Sequence, residues 1–357
     1  MQPADVRARV RSLLRHRSEP GRLDAITDVG GVRVGHQDVR RPPDIVTGVT
    51  AVRFAALESA RRTLPAAVEV GNGHGKLVGV TQLRELGEIE TPIILTSTLS
   101  TFLAADVLVD WVLRQPGHER TTTLNPVVAE CNDGWLSDIR ARAITAADVT
   151  AALEAADPTL TGAERPAEGC VGAGSGMICM GYKGGIGTAS RQAVIDGRPV
   201  TVGALALTNF GGRLRIGPLD LDADDVLGNA AGRPSRPEQS ADPRTIANSC
   251  IILLITDAPV DARQLGRLAR RGVFSLGRVG AGYWHGSGDY GIAVSTAVPA
   301  PALPDHQLDP LLTAALESAE AAILSSLIAA RTTSGRRGRV AYGLPHDLLD
   351  RTQLDGV

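Results

Sequence analysis

The sequence predicts an α/β fold of layered sheets and helices, and three observations carry that expectation. Short apolar runs of strand length recur between turns rich in Gly and Pro, stretches of helical period separate them, and aromatic residues make up only 3% of the chain. A core so poor in aromatics has to be built from Val, Ile, Leu and Ala, which suit pleated sheets and the helices that cover them. With 357 residues and 43% hydrophobic content the chain can bury one large core or two smaller ones. It shows no internal repeat and no clean linker, so residues 1–357 read as a single domain.

Taken in order, Gly30 to His36 alternates apolar and polar residues between turn formers, and Thr47 to Phe54 reads as a second strand. Val68 to Gly79 contains Gly71-Asn72-Gly73-His74-Gly75, a loop that calls for positive φ or close backbone approach. Pro92 to Thr98 is an apolar strand ending in a Ser/Thr-rich turn, after which Thr101 to Arg114 turns helical, with Leu103, Val107, Trp111 and Leu113 tracking one side. Val127-Val128-Ala129 is a short buried strand that delivers Glu130-Cys131-Asn132-Asp133-Gly134 at its end. Thr145 and Asp148 form a capping box for a helix through Ala156, and Ala163 to Pro166 reads as a surface loop.

Gly169 to Gly187 lacks both GxGxxG and GxxxxGK[ST], so its glycines predict close backbone packing rather than phosphate binding. Val200 to Thr208 is a strand ending at Asn209, and the polar, Pro-rich stretch from Gly217 to Pro243 reads as exposed and loosely structured. Ser249 then opens Cys250 to Thr256, an apolar run of the length of a strand buried on both faces. Asp257 is placed to cap a helix from Val260 to Arg271, with strands expected at Val273 to Leu276 and Tyr290 to Val298. Leu308 to Ala330 is a long Ala/Leu helix that should pack across a sheet.

The formal net charge of -2 comes from nearly balanced acids and bases, which argues against nucleic acid or an anionic membrane and for a small partner. Cys131, Cys170, Cys179 and Cys250 lack the spacing of a zinc site, and free thiols in apolar surroundings fit a reduced compartment. Arg7, Arg9, Arg11, Arg15 and Arg17 interrupt any signal-peptide core, so a cytoplasmic location is expected. The same Arg-rich opening reads as a solvated arm or an amphipathic surface helix.

Several residues have the chemistry of a hydrolase. A serine between a polar loop and a buried strand can attack its own preceding carbonyl, and Asn248-Ser249 stands at such a junction, though a turn opening a strand has the same appearance. Freed as an N-terminal residue, Ser249 would carry an α-amine that titrates at about 7.7–8.0, near enough to neutrality to serve as the base. Ser287 and Asp289 place a hydroxyl and a carboxylate at the mouth of a strand, where they could orient a nucleophile or merely form a glycine turn. Asn209 could donate to an oxyanion, and Glu130 could pair with a substrate ammonium or sit in a surface salt bridge. His285 lies near Ser287 and Asp289, but no serine has a GxSxG elbow. His36, His74 and His285 show no metal-ligand spacing, so neither a metal nor a cofactor is expected.

These segments together resemble the DmpA-like family of L-aminopeptidase/D-esterases and β-peptidyl aminopeptidases. The likeness runs through Ala25 to Val29, Gly31 to His36, Gly71 to Gly73, Val127 to Glu130, Asn132 to Gly134, Gly174 to Met177 and Lys183 to Thr188. It continues through Asn209 to Gly211, Asn248-Ser249, Thr256 to Pro259 and Ser287 to Asp289. The order and spacing of the pieces carry it, since each alone is weak. The resemblance implies a four-layer αββα sandwich, self-cleavage into residues 1–248 and 249–357, and a homo-oligomer, expected to be a tetramer. It implies a serine aminopeptidase and amidase that releases N-terminal amino acids from short peptides, amides or esters through an acyl-Ser249 intermediate. Ser287 and Asp289 would position the nucleophile and its amine, Asn209 would stabilise the oxyanion, and Glu130 and Asn132 would bind substrate.

This sequence departs from the family pattern at three of those places. Asn132 stands where some relatives carry an aromatic hydroxyl, Asp289 is a methylene shorter than the Glu of some relatives, and Cys250 replaces an aliphatic residue. The alternatives are a nylon-type oligoamide hydrolase or an acyltransferase on the same fold, or an uncleaved binding protein without activity.

Overall fold

The computed structural model describes residues 3–58, 63–157, 164–228, 248–297 and 301–349. Helix α1 (Pro3–Leu14) precedes the hairpin of β1 (Val32–Arg41) and β2 (Ile45–Phe54). Then come β3 (Leu64–Gly73), β4 (Leu77–Val78), α2 (Val80–Glu85), β5 (Glu88–Ile89), β6 (Ile93–Ser97), α3 (Thr101–Leu113), β7 (Val127–Cys131) and α4 (Ala146–Ala155). Short strands β8 (Ile178–Cys179) and β9 (Tyr182–Lys183) lead into the hairpin of β10 (Gly185–Ile195) and β11 (Arg198–Asn209). After β12 (Arg215–Ile216), β13 (Leu219–Asp220) and α5 (Ala223–Leu227) come β14 (Asn248–Thr256), α6 (Ala262–Arg278), β15 (Ser287–Ser295) and α7 (Asp309–Ala329).

Two sheets organise the molecule, one in the order β1-β2-β6-β7-β4 and the other in the order β10-β11-β14-β15-β3-β5. Strand alternation assigns their faces. Ile251, Leu253 and Ile255 of β14 pack in one cluster with Leu205 and Leu207 of β11 and with Val52, Ile93 and Val127 of the other sheet. The intervening Cys250, Ile252 and Leu254 pack instead with residues of α6 and α7, among them Leu265, Leu268 and Ile323. On the far side, Ala51, Ile94 and Val128 meet Leu108 of α3 and Val149 and Leu153 of α4. The layers are therefore helix, sheet, sheet, helix, the αββα sandwich expected from the resemblance.

Glycine is what allows the layers to approach. A Cβ on Gly187 would lie 2.0 Å from the Ala322 carbonyl oxygen of α7, and one on Gly35 would lie 2.3 Å from the Ala152 oxygen of α4. The Gly-rich stretch thus serves close backbone packing, as its sequence implied, and it also includes the start of β10, which strand periodicity had not marked.

Three expectations need correction. The C-terminal helix of the nucleophile segment starts at Ala262 because Asp261 and Gln264 form its capping box, whereas Asp257 Oδ1 accepts from Thr201 N at 2.7 Å. The same helix continues through Val273 to Leu276, because Leu265, Leu268, Ala269, Gly272, Val273 and Leu276 are buried at helical spacing against the sheet. A short β-branched and aromatic run inside it had imitated a strand.

The Arg-rich opening is not a solvated arm. It forms α1, with Val6 and Val10 buried against the α7 layer and ion pairs from Arg7 to Glu168 (3.4 Å) and Arg11 to Asp24 (3.0 Å). In the polar stretch from Gly217 to Pro243, the described part contains β13 and α5, and the rest lies outside the described residues. Helix α7 is long and apolar enough to cross a membrane, but here it is a core helix, with Ser318 Oγ donating to the Val202 carbonyl at 2.9 Å.

Candidate active site

The ends of β11, β14 and β15 meet at one place. In the antiparallel pair β11–β14 Asn209 faces Ser249, and in the parallel pair β14–β15 Asn248 faces Ser287 and Ser249 faces Gly288. Ser249 is buried and shares strand parity with Ile251 and Leu253, so it points between the two sheets. Its Oγ donates to the carbonyl oxygen of Asn248 at 2.5 Å, which seats the hydroxyl on the peptide unit that precedes it. Cys250 points the other way, into the helix layer, and burial pushes its thiol well above the ordinary value. On the opposite face of the strand, Cys250 packs as a neutral thiol.

Ser287 Oγ donates to Asp289 Oδ1 at 2.7 Å, and both residues are buried. Burial raises the Asp289 carboxyl from 3.8 to about 6, opposed by the hydrogen bonds it accepts from Ser287 and from the backbone N–H of Cys250. The second of these ties the carboxylate to the residue after the nucleophile. The Trp284 carbonyl accepts from Ser287 N at 2.9 Å and from Asn72 Nδ2 at 2.6 Å, which fixes the turn that delivers Ser287. The indole of Trp284 lies over Gly211, where a Cβ would approach it to 1.7 Å.

Asn209 is held at both ends of its amide. Oδ1 accepts from Ile178 N at 2.9 Å and Nδ2 donates to the Asn132 carbonyl at 2.9 Å, so the amide plane is set by two backbone groups. Asn132 turns its side-chain oxygen into its own loop, accepting from Gly134 N at 2.9 Å. Through its carbonyl it orients Asn209.

Glu130, at the end of β7 in the facing sheet, is buried with one oxygen accepting from Lys76 N at 2.9 Å and the other from the Thr98 hydroxyl. The Lys76 ammonium stands 3.8 Å from the carboxylate. Glu130 and Asp289 both push the Tyr290 hydroxyl and the Cys131 thiol upward, behind burial as the larger cause. The two carboxylates thus act on the same pair of groups from opposite sheets.

Sequence reasoning missed Lys76, Thr98 and Ile178. Two of these act through backbone N–H groups, which no residue type announces, while Thr98 had shown only as part of a Ser/Thr-rich turn. His74 and His285 stand with ring centroids 6.2 Å apart, and among the described residues no group of three or more His, Cys, Asp or Glu is placed to hold a metal.

The raised Asp289 carboxyl has a consequence for stability. A carboxyl that is harder to ionise in the folded state contributes stability below its unfolded value, and loses that contribution as pH rises through about 6. The melting temperature of Asp289→Asn relative to the unsubstituted protein should therefore climb between about pH 4 and pH 6 and level off above about pH 7. Melts across pH 4 to 8 check this, and a difference that shrinks with rising pH would contradict the burial of an ionisable group here.

A buried hydroxyl at a sheet end, between a hydroxyl–carboxylate pair and an anchored amide, is the equipment of a hydrolase of the αββα class. The chain matches the model of peptidase family S58 over residues 24–341 and belongs to that family, which makes it an aminopeptidase. It is 35% identical over 355 residues to the β-peptidyl aminopeptidase BapA of Sphingosinicella microcystinivorans, covering 92% of this chain and 87% of that one. The PH0078 protein from Pyrococcus horikoshii OT3 superposes with a TM-score of 0.83 at 39% identity, over 95% of this chain and 97% of its own. An L-aminopeptidase D-Ala-esterase/amidase from Ochrobactrum anthropi, described as a variant of the Ntn hydrolase fold, gives 0.82 at 32% identity over 95% and 96%.

Proposed function

We propose that this aminopeptidase cuts its own Asn248–Ser249 bond and then uses Ser249 to release N-terminal residues from short peptides, amides and esters. The observation that carries the reading is the Ser249 hydroxyl seated 2.5 Å from the Asn248 carbonyl oxygen at a strand end held on both sides. Attack of Oγ on the Asn248 carbonyl carbon breaks the C–N bond and forms an ester, with the hydroxyl proton passing to the departing nitrogen. Water then hydrolyses the ester, leaving a carboxylate on Asn248 and a free α-amine on Ser249.

In the second phase that amine takes the proton from Ser249 Oγ as the hydroxyl attacks the substrate carbonyl. Ser287 and Asp289 orient the amine, and Asn209 donates to the developing oxyanion from an amide plane that is already fixed. Glu130 receives the substrate's ammonium, and the Asn132 loop shapes the floor beneath it. Transfer of the proton to the leaving amine gives an acyl-Ser249 ester, which water resolves. Exposed Leu99, Phe102 and Phe274 support self-association into a homo-oligomer, with a tetramer expected from the family resemblance.

Intact mass spectrometry with N-terminal sequencing tests the first phase. Two fragments are expected, the smaller beginning Ser-Cys-Ile-Ile, together with turnover of α- and β-aminoacyl amides. Turnover by a chain that stays whole at 37.3 kDa would sink the mechanism.

A further inference from the structure

Behind the candidate site, the loop after β7 closes over a small cavity lined by Thr47, Ser97, Ser100, Asp133, Ser137 and Asp138. It offers about 10 Å³ to the centre of a water-sized body, room for a single one. Asp133 is 1% exposed, with Oδ1 accepting from Ser97 Oγ at 2.8 Å and Oδ2 without a hydrogen-bond partner. Thr47, on the opposite side, is 5% exposed, and its Oγ1 likewise has no hydrogen-bond partner. Burial raises the Asp133 carboxyl from 3.8 to about 6, opposed by the Thr47 and Ser97 hydroxyls, which favour its charged form.

Among the described residues no cation pairs with Asp133: none of the Lys, Arg or His side chains is in ion-pair contact with it, and Glu130 adds negative potential. Asp138 is engaged by Arg336 at 3.5 Å, and Arg142, also at the cavity, is exposed. A buried carboxylate left in this state is costly, because low-dielectric surroundings amplify an uncompensated charge. A water molecule would fill the space and leave the charge.

We propose that the cavity binds an alkali cation, Na⁺ or K⁺, held by the carboxylate of Asp133 and the hydroxyl oxygen of Thr47. The donors are hard oxygens, which select alkali or alkaline-earth ions over transition metals. A single uncommitted carboxylate among hydroxyls matches one positive charge, whereas calcium sites gather several carboxylates. The ion would also stiffen the loop whose preceding residue, Asn132, presents its carbonyl to Asn209. That consequence rests on the proposed role of Asn209, but the binding itself does not.

The test uses the full chain exchanged into choline chloride and melted against NaCl or KCl at constant ionic strength. A saturable rise of several degrees is expected with one alkali chloride, absent with choline and lost in Asp133→Asn. In Thr47→Val the half-saturating concentration should rise by roughly tenfold or more. Crystals soaked in thallium(I) acetate should show an anomalous peak between Thr47 and Asp133, and this reading does not depend on how the variants fold. Equal melting in choline and alkali chlorides, a rise that survives in Asp133→Asn, or a thallium map with only water in the cavity overturns the proposal. Aminopeptidase activity measured alongside keeps failure of the ion site separate from failure of the catalytic reading.

Discussion

Ser249→Ala should emerge from expression as one uncut 37.3 kDa chain, with amide turnover reduced on the order of 10⁶-fold. Alanine keeps the β-carbon and the strand pairing, so β14 should still lie between β11 and β15 and the melting temperature should change little. What disappears is the only oxygen on that side chain, which the proposed chemistry uses twice, first against Asn248 and then against substrate. The two losses have one origin, so they should appear together. Mass spectrometry reads the first and hydrolysis of an aminoacyl p-nitroanilide reads the second. If cleavage persisted in Ser249→Ala, the bond would be cut by another group or another protein, and the coupling of processing to catalysis would fail. If cleavage stopped but turnover remained, Ser249 would be a processing residue alone.

The strand that carries Ser249 was legible because the apolar run from Cys250 to Thr256 leaves few alternatives to a strand covered on both faces, and all nine residues of β14 are buried. The strand ends at Asn209 and Glu130 were legible for a related reason, since polar residues directly after a buried run tend to face a cleft. Helix α6 was harder to bound. Its Val273–Leu276 portion has strand-like composition over four residues, and only the longer helical period, started by Asp261 rather than Asp257, separates the two readings.

The support of the site was hidden for a physical reason. Asn209 is aligned by a backbone N–H 31 residues away and a backbone carbonyl 77 residues away, and Glu130 by the N–H of Lys76, 54 residues away. Every residue except proline owns those groups, so only the packing of the two sheets reveals which ones are used. The Asp133 carboxylate was similarly mute. Its sequence context is a turn, and only its burial beside Thr47 shows a carboxyl without an ion-pair partner among the described residues.

Glu130→Gln should raise KM for substrates with a free amine and lower kcat/KM by roughly 10²-fold or more, while the chain still cleaves itself. The amide is nearly the shape of the carboxylate: its oxygen can still accept from Lys76 N, and its NH2 can donate to the Thr98 hydroxyl once that hydroxyl rotates to accept, so the fold should hold. The change removes the negative charge from a buried position. A substrate ammonium brought there would lose its partner, and truncating one side of a buried charge pair costs about 2–5 kcal/mol. Lys76 sharpens the expectation, because with Glu130 neutral its ammonium, 3.8 Å away, would repel the incoming amine. The decisive comparison is between a free-amine substrate and its N-acetylated analogue. Ordinary enzyme should favour the free amine strongly, and Glu130→Gln should erase most of that preference by losing the free-amine rate. An unchanged ratio of the two rates would mean that the ammonium is recognised elsewhere, and Glu130 would then serve only to hold the Gly75–Lys76 turn against β7.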